Sequence, residues 1–164
     1  MNRAKVIYLP DENGNQLALD TIFSIARKAS NGDQLSVQLL QLIRLGIRDI
    51  ELRGIIEWDQ FREHQLIVAN EKGYSLTANL IKKIGLNKPL YEFSVNHNHF
   101  PTDQREHGYS FRMILFSYNK DYTQYLFCTD AIIQKEPTDT VFEKMVSEAR
   151  KSYHHFMRDP SKYV

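Results

Sequence analysis

Two apolar stretches separated by a short polar break, residues 110–116 (SFRMILF) and 123–129 (TQYLFCT), constrain this chain more than anything else in it. Both are crowded with aromatic and branched aliphatic side chains, which suit a pleated, mostly buried surface. Asn119, Lys120 and Asp121 stand between them, and Asn and Asp tolerate the left-handed backbone that tight turns demand. The pattern predicts a central β-hairpin. Arg112 interrupts its first strand. A long cation there must snorkel, pair with an acid, or face a site. A salt-bridge arginine is the plainer reading, and the functional one depends on the rest of the chain.

The chain has 164 residues, enough for one domain with a substantial core. No run of eighteen apolar residues is present, so no membrane span is expected. The opening MNRAKVIYLPDENG has no secretory apolar region, because charge and proline arrive too early. The single cysteine, Cys128, has no second cysteine to pair with and falls in a strand, as a small core hydrophobe does. A cytoplasmic location follows. The net charge of +1 is lower than a dedicated phosphate binder usually carries.

Taken in order, residues 4–9 (AKVIYL) read as a strand ended by Pro10, and residues 11–15 as a turn. Leu17, Ile22, Phe23 and Ala26 suggest a helical stripe that stops near Ser30, Asn31 and Gly32. Asp33 is placed to cap a second helix, on which Leu35, Leu39, Leu42, Ile43 and Gly46 share a face. A short-looped helix pair results. Residues 50–56 fit either the end of that helix or a strand. Residues 65–69 fit a strand and 71–74 a turn. Residues 75–84 fit a short helix with Leu76, Leu80 and Ile84 on one side and Lys82 and Lys83 on the other. That lysine pair is either a solvated face or a phosphate contact.

Residues 90–95 (LYEFSV) alternate and read as a strand. A polar loop follows over 96–108 with three histidines. His97 and His99 make two metal ligands at most, and no HExxH or CxxC pattern accompanies them, so no metal or other cofactor is expected. After the hairpin, a helix runs to about Met157 with Phe142, Met145, Val146, Ala149, Tyr153 and Phe156 on one stripe. The order β-α-α-(irregular)-β-β-β-α implies an α+β fold: a mainly antiparallel sheet with the helices packed on one face.

Several local patterns in that order are similar to those of the RelE/HigB/ParE superfamily, the toxins of bacterial type II toxin–antitoxin pairs. Lys88-Pro89-Leu90-Tyr91-Glu92-Phe93 resembles the family's Lys-Pro-apolar-Tyr-Glu run. Tyr109 through Phe116 resembles its Tyr-Arg-apolar strand. The stretch from Tyr125 to Lys135 resembles its strand ending in Phe-x-Lys-Lys, and Glu148-Ala149-Arg150 with Tyr153 its closing helix. The likeness covers residues 87–157 best and 4–47 loosely. The chain departs from it in an excess at about 48–86 and 96–108, in Ser94 where the family often has Arg, and in Gln134 for a Lys. The whole, 1–164, then reads as a single RelE-like domain with an insertion.

The resemblance implies ribosome-dependent cleavage of messenger RNA, held in check by a cognate antitoxin protein. The chemistry it implies is attack of a ribose 2′-OH on its own phosphodiester without a metal, which needs a base, cations for the phosphorane, and an acid. Arg112 fits the cation role, with Lys135 as a second charge. His107 fits the acid or base, and Tyr153 or His154 a second proton-transfer group. Lys82, Lys83 and Arg105 are the candidate RNA contacts. The rival reading is a non-catalytic phage or mobile-element protein on the same scaffold that binds a protein target such as gyrase, with the insertion as its surface.

Overall fold

The computed structural model describes residues 4–55, 65–69, 75–85, 89–96, 110–134 and 139–164. Its elements are β1 (Ala4–Tyr8), α1 (Leu17–Ser30), α2 (Gln34–Arg53), β2 (Gln65–Ala69), β3 (Ser75–Asn79), β4 (Ile81–Ile84), β5 (Leu90–Asn96), β6 (Ser110–Lys120), β7 (Thr123–Gln134) and α3 (Asp139–Arg158). A short 3-10 turn, Pro160–Lys162, follows α3. Five strands form one sheet in the order β1-β7-β6-β5-β4, and β2 with β3 forms a separate two-stranded ribbon. Only β1 runs parallel to its neighbour; the other pairings are antiparallel. The fold is α+β, as expected. No helix among the described residues is long and apolar enough to cross a membrane.

The helices do not share one face of the sheet. Leu126, Cys128, Met113, Leu115 and Phe93 pack with Ile25, Leu39, Leu42 and Ile43 of the α1–α2 pair. The alternate residues Phe127, Ile114, Phe116 and Leu90 pack with Phe142, Met145, Val146 and Phe156 of α3. Successive strand residues point to opposite faces, so these are two cores, one on each side. The long apolar runs of β6 and β7 are the reason: strands this apolar are buried on both faces.

The helix pair follows its sequence signals. Gly32 adopts φ +91°, which ends α1. Asp33 sits at the N-cap of α2, where its carboxylate accepts the Ser36 hydroxyl. The segment left open between helix and strand, residues 50–56, continues α2 through Arg53, and Gly54 at φ +70° stops it. Just beyond, Gln124 clamps the chain to β7. Its Oε1 accepts the Ile55 N–H at 2.6 Å and its Nε2 donates to the Ile55 carbonyl at 2.7 Å.

Three further expectations change. Residues 75–84 form no helix; they divide into β3 and β4. Ile81 is buried opposite Phe93, so strand pairing overrides the weak helical spacing of Leu80 and Ile84. The hairpin turns one residue late. Lys120 pairs with Thr123, leaving Asp121 and Tyr122 as the turn, both at positive φ as in a type I′ turn. β7 also runs on to Gln134, well past Thr129, because a bulge accommodates Asp130. Ile114 is opposite Asp130 but Leu115 is opposite Cys128, so Thr129 is the extra residue. Its hydroxyl donates to the Ile114 carbonyl at 3.3 Å.

Gly46 is where α2 crosses β5. A Cβ there would lie 2.7 Å from Phe93 Cζ and 2.9 Å from Cε2. Phe93 is fully buried and cannot swing aside. Helix propensity alone predicts that Gly46→Ala stabilises by about 1 kcal/mol. Overpacking of a closed core costs roughly 1–3 kcal/mol and reverses the sign. Thermal unfolding of Gly46→Ala is expected to show a midpoint roughly 2–4 °C lower than the native chain; a higher midpoint would mean the crossing is looser than this.

Candidate functional site

Arg112 lies on the α3 side of β6, in phase with Ile114 and Phe116. Its direct neighbours across the sheet are Ser94 on β5 and Ile132 on β7, both too short or apolar to hold it. The partners come diagonally, within reach of a long side chain. Arg112 Nε donates to Glu92 Oε1 at 2.5 Å, and Nη1 donates to Gln134 Oε1 at 3.3 Å. Phe142, in the first turn of α3, closes the top, its ring centroid 3.5 Å from the guanidinium carbon. Charge, hydrogen bonds and a cation–π contact therefore fix one arginine on three sides. The Arg112 and Glu92 side chains are 17% and 12% exposed, so the pair is largely withdrawn from water.

Lys82 joins this cluster. β4 places it directly opposite Glu92, on the same face. Lys82 and Arg112 thus flank one carboxylate, and Lys82 is exposed. Lys83, the next residue of the strand, points to the α1–α2 face. The two lysines therefore do not form one patch, as a helix would have made them.

Tyr153 and His154 are not brought to Arg112. Tyr153 sets its ring edge-on to Phe116 at 5.2 Å and packs in the α3 core. Phe116 is four residues along β6 from Arg112, a separation of about 13 Å. His154 is exposed and touches the Tyr153 ring at 5.6 Å. His107, Lys135 and Arg105 lie outside the described residues, as do His97 and His99. Among the described residues no group of three or more His, Cys, Asp or Glu is gathered in metal-binding geometry.

Cys128 and Tyr8 lie on the α1–α2 side. Burial pushes the Cys128 thiol well up, with the Glu51 carboxylate adding to it, so the thiolate a nucleophile needs does not form near neutrality. Tyr8 is pushed up to about 12 by burial, then by Cys128 and Glu51. At the bulge, burial raises the Asp130 carboxyl and Asp11 adds to it, against the Ala131 N–H that Asp130 accepts at 2.8 Å.

Glu92, Gln134 and Phe142 are the functional neighbours that sequence reasoning missed. One signal pointed to Glu92. It is the lone acid of β5, set between Tyr91 and Phe93, as Arg112 is set between Phe111 and Met113 of β6, and charged residues so placed are buried only when paired. No protein-family model, curated protein or solved structure matches the chain.

Two measurements test these assignments. Arg112→Met leaves Glu92 buried without its counter-charge and should cost about 3 kcal/mol in chemical denaturation, whereas Glu92→Leu with Arg112→Met should return to within about 1 kcal/mol of the native chain. Equal losses in the single and double variants would deny the coupling. Asp130 has a raised folded pKa, so its charge opposes folding once the pH exceeds the unfolded carboxylate value. Asp130→Asn is expected to unfold at higher temperature than the native chain at neutral pH. The gap should close as the pH falls through the carboxylate range; a gap that persists in acid would place its origin elsewhere.

Proposed function

We propose that this chain is the toxin of a toxin–antitoxin module, an RNA-cleaving member of the RelE/HigB/ParE kind. The observation that carries the reading is the Lys82–Glu92–Arg112 row. Two cations singled out separately in the sequence stand on one sheet face around one carboxylate, with net positive charge. The order of elements supports it in part: a strand and a helix pair, and then, beyond β2, β3 and β4, the antiparallel run β5-β6-β7 and a closing helix.

In the reaction, the 2′-oxygen forms a bond to phosphorus as the bond to the 5′-oxygen breaks. A base takes the 2′-OH proton and an acid returns one to the leaving oxygen, giving a cyclic phosphate and a free 5′-OH. Arg112 serves the phosphorane through guanidinium donors beyond the one held by Glu92, since the group has five N–H in all. Lys82 draws the backbone phosphates to the same face. His107 and Lys135 remain the candidates for proton transfer and second cation. Tyr153, packed on Phe116, serves the α3 core in this reading.

A second reading rests on the same pair. An arginine already matched to Glu92 has lost much of its pull on a phosphate, which favours a non-catalytic scaffold that binds a protein target.

Growth and bulk translation after induced expression distinguish the two. Arg112→Ala alone is a poor probe, because it strands Glu92. The Glu92→Leu/Arg112→Met chain keeps the packing and removes the charge. Arrest with loss of translation in the native chain, relieved in a soluble and folded double variant, is the expected result. Arrest that survives the double variant would move the site to a protein-binding surface. No arrest from well-folded native chain would sink the toxin reading.

A further inference from the structure

The two edges of the five-stranded sheet are built differently. β4 is IKKI, with an exposed lysine toward each face, and edge lysines are a common defence against strand addition. β1 is AKVIY, with one lysine, no proline and no bulge. Successive strand residues direct their N–H and C=O to alternate edges. The Leu9 N–H donates to the Cys128 carbonyl at 2.9 Å, so Lys5, Ile7 and Leu9 face β7. Ala4, Val6 and Tyr8 therefore direct theirs outward. The Tyr8 carbonyl accepts Gln16 Nε2 at 3.0 Å and keeps a second lone pair. Beside this edge α2 raises Arg48, Glu51 and Leu52, and an open cleft of about 500 Å³ lies between them and residues 4–7. Leu52 is 48% exposed there.

We infer that β1 is a dimerisation edge, on which a second copy of this chain lays its own β1 antiparallel about a two-fold axis through Val6. The register follows from the strand itself. With the axis at Val6, each Val6 faces its copy and each Ala4 faces a Tyr8, so every outward-directed residue of the strand finds a partner. Lys5 then stands across from Ile7. Moving the axis to Lys5 sets lysine against lysine, which is destabilising, and moving it to Ile7 leaves Ala4 unpaired. The α2 wall suits a copy of itself, because Arg48 and Glu51 carry opposite charges and a two-fold axis presents each wall to the other. Such a contact is isologous and uses up the open edge, so assembly stops at two chains.

Sedimentation of the full chain over a wide concentration range tests this directly. The native chain should move from one-chain to two-chain mass as concentration rises. Val6→Pro should stay one-chain while folded by circular dichroism. It removes an outward N–H and no bond to β7, and edge strands tolerate proline there. Mild oxidation of Val6→Cys should give a covalent dimer, since opposed residues in such a pair lie about 5.5 Å apart at Cα, within disulfide reach. Lys5→Cys should not, and the buried Cys128 does not interfere. A native chain that stays one-chain at every concentration would overturn the inference. So would a dimer that survives in folded Val6→Pro, an assembly larger than two, or a Val6 amide equally protected from hydrogen exchange at every dilution. The last outcome would mean that the chain's own residues cover the edge.

Discussion

The single extra residue in β7 decides which side chains share the site. Up to Cys128 the even residues of β7 face the α1–α2 pair and the odd ones face α3. Beyond the bulge at Thr129 the phases exchange, so Ala131 and Ile133 join the α1–α2 core while Ile132 turns to the α3 side. Gln134 follows Ile132 and reaches Arg112. Without the bulge Gln134 would point away from the arginine, and Ala131 and Ile133 would leave the core they fill. A strand register shifted by one inverts every later side chain. Thr129 spends its hydroxyl on the Ile114 carbonyl, which helps satisfy a backbone group at the irregularity.

The same bulge explains why a carboxylate can sit in mid-strand. Asp130 at the shift is half-buried and tied to the following N–H, so it ends neither the strand nor the pairing. Six more β7 residues after Cys128 can then cross beside β6. The length of that ladder supports both helical layers at once. The stretch before the bulge, Gln124–Cys128, is the parallel partner of β1 and joins the strand at the start of the chain to the hairpin near its end.

Much of this was legible in the residues. Aromatic and aliphatic runs with turn chemistry between them marked the hairpin, and Gly32 with Asp33 marked the break between α1 and α2. The α3 stripe was likewise plain. What was hidden depended on tertiary pairing. The bulge left no local mark, because Thr129-Asp130 looks like a strand end when read alone. Residues 75–84 carry mixed propensities, and the neighbour Phe93 decided for Ile81. The second helical face was missed because an antiparallel sheet commonly buries only one side, although the unbroken apolar runs of β6 and β7 argue for two. Arg112 was picked out, yet its partners came from three separate elements, and spacing within one strand says nothing about them.

Whether Arg112 serves structure or chemistry turns on competition for one guanidinium. Glu92 holds it with a single carboxylate, at the end of a side chain that still meets some water, and Gln134 adds a neutral contact. The Phe142 ring lies against the guanidinium carbon, 3.5 Å from its centroid. A lone phosphate gains little by displacing so close a carboxylate. A polyanion is different, because each further cation it meets adds to the attraction at low salt, and Lys82 stands on the other side of Glu92. Under the proposed reading, a nucleic-acid backbone is the ligand this competition favours.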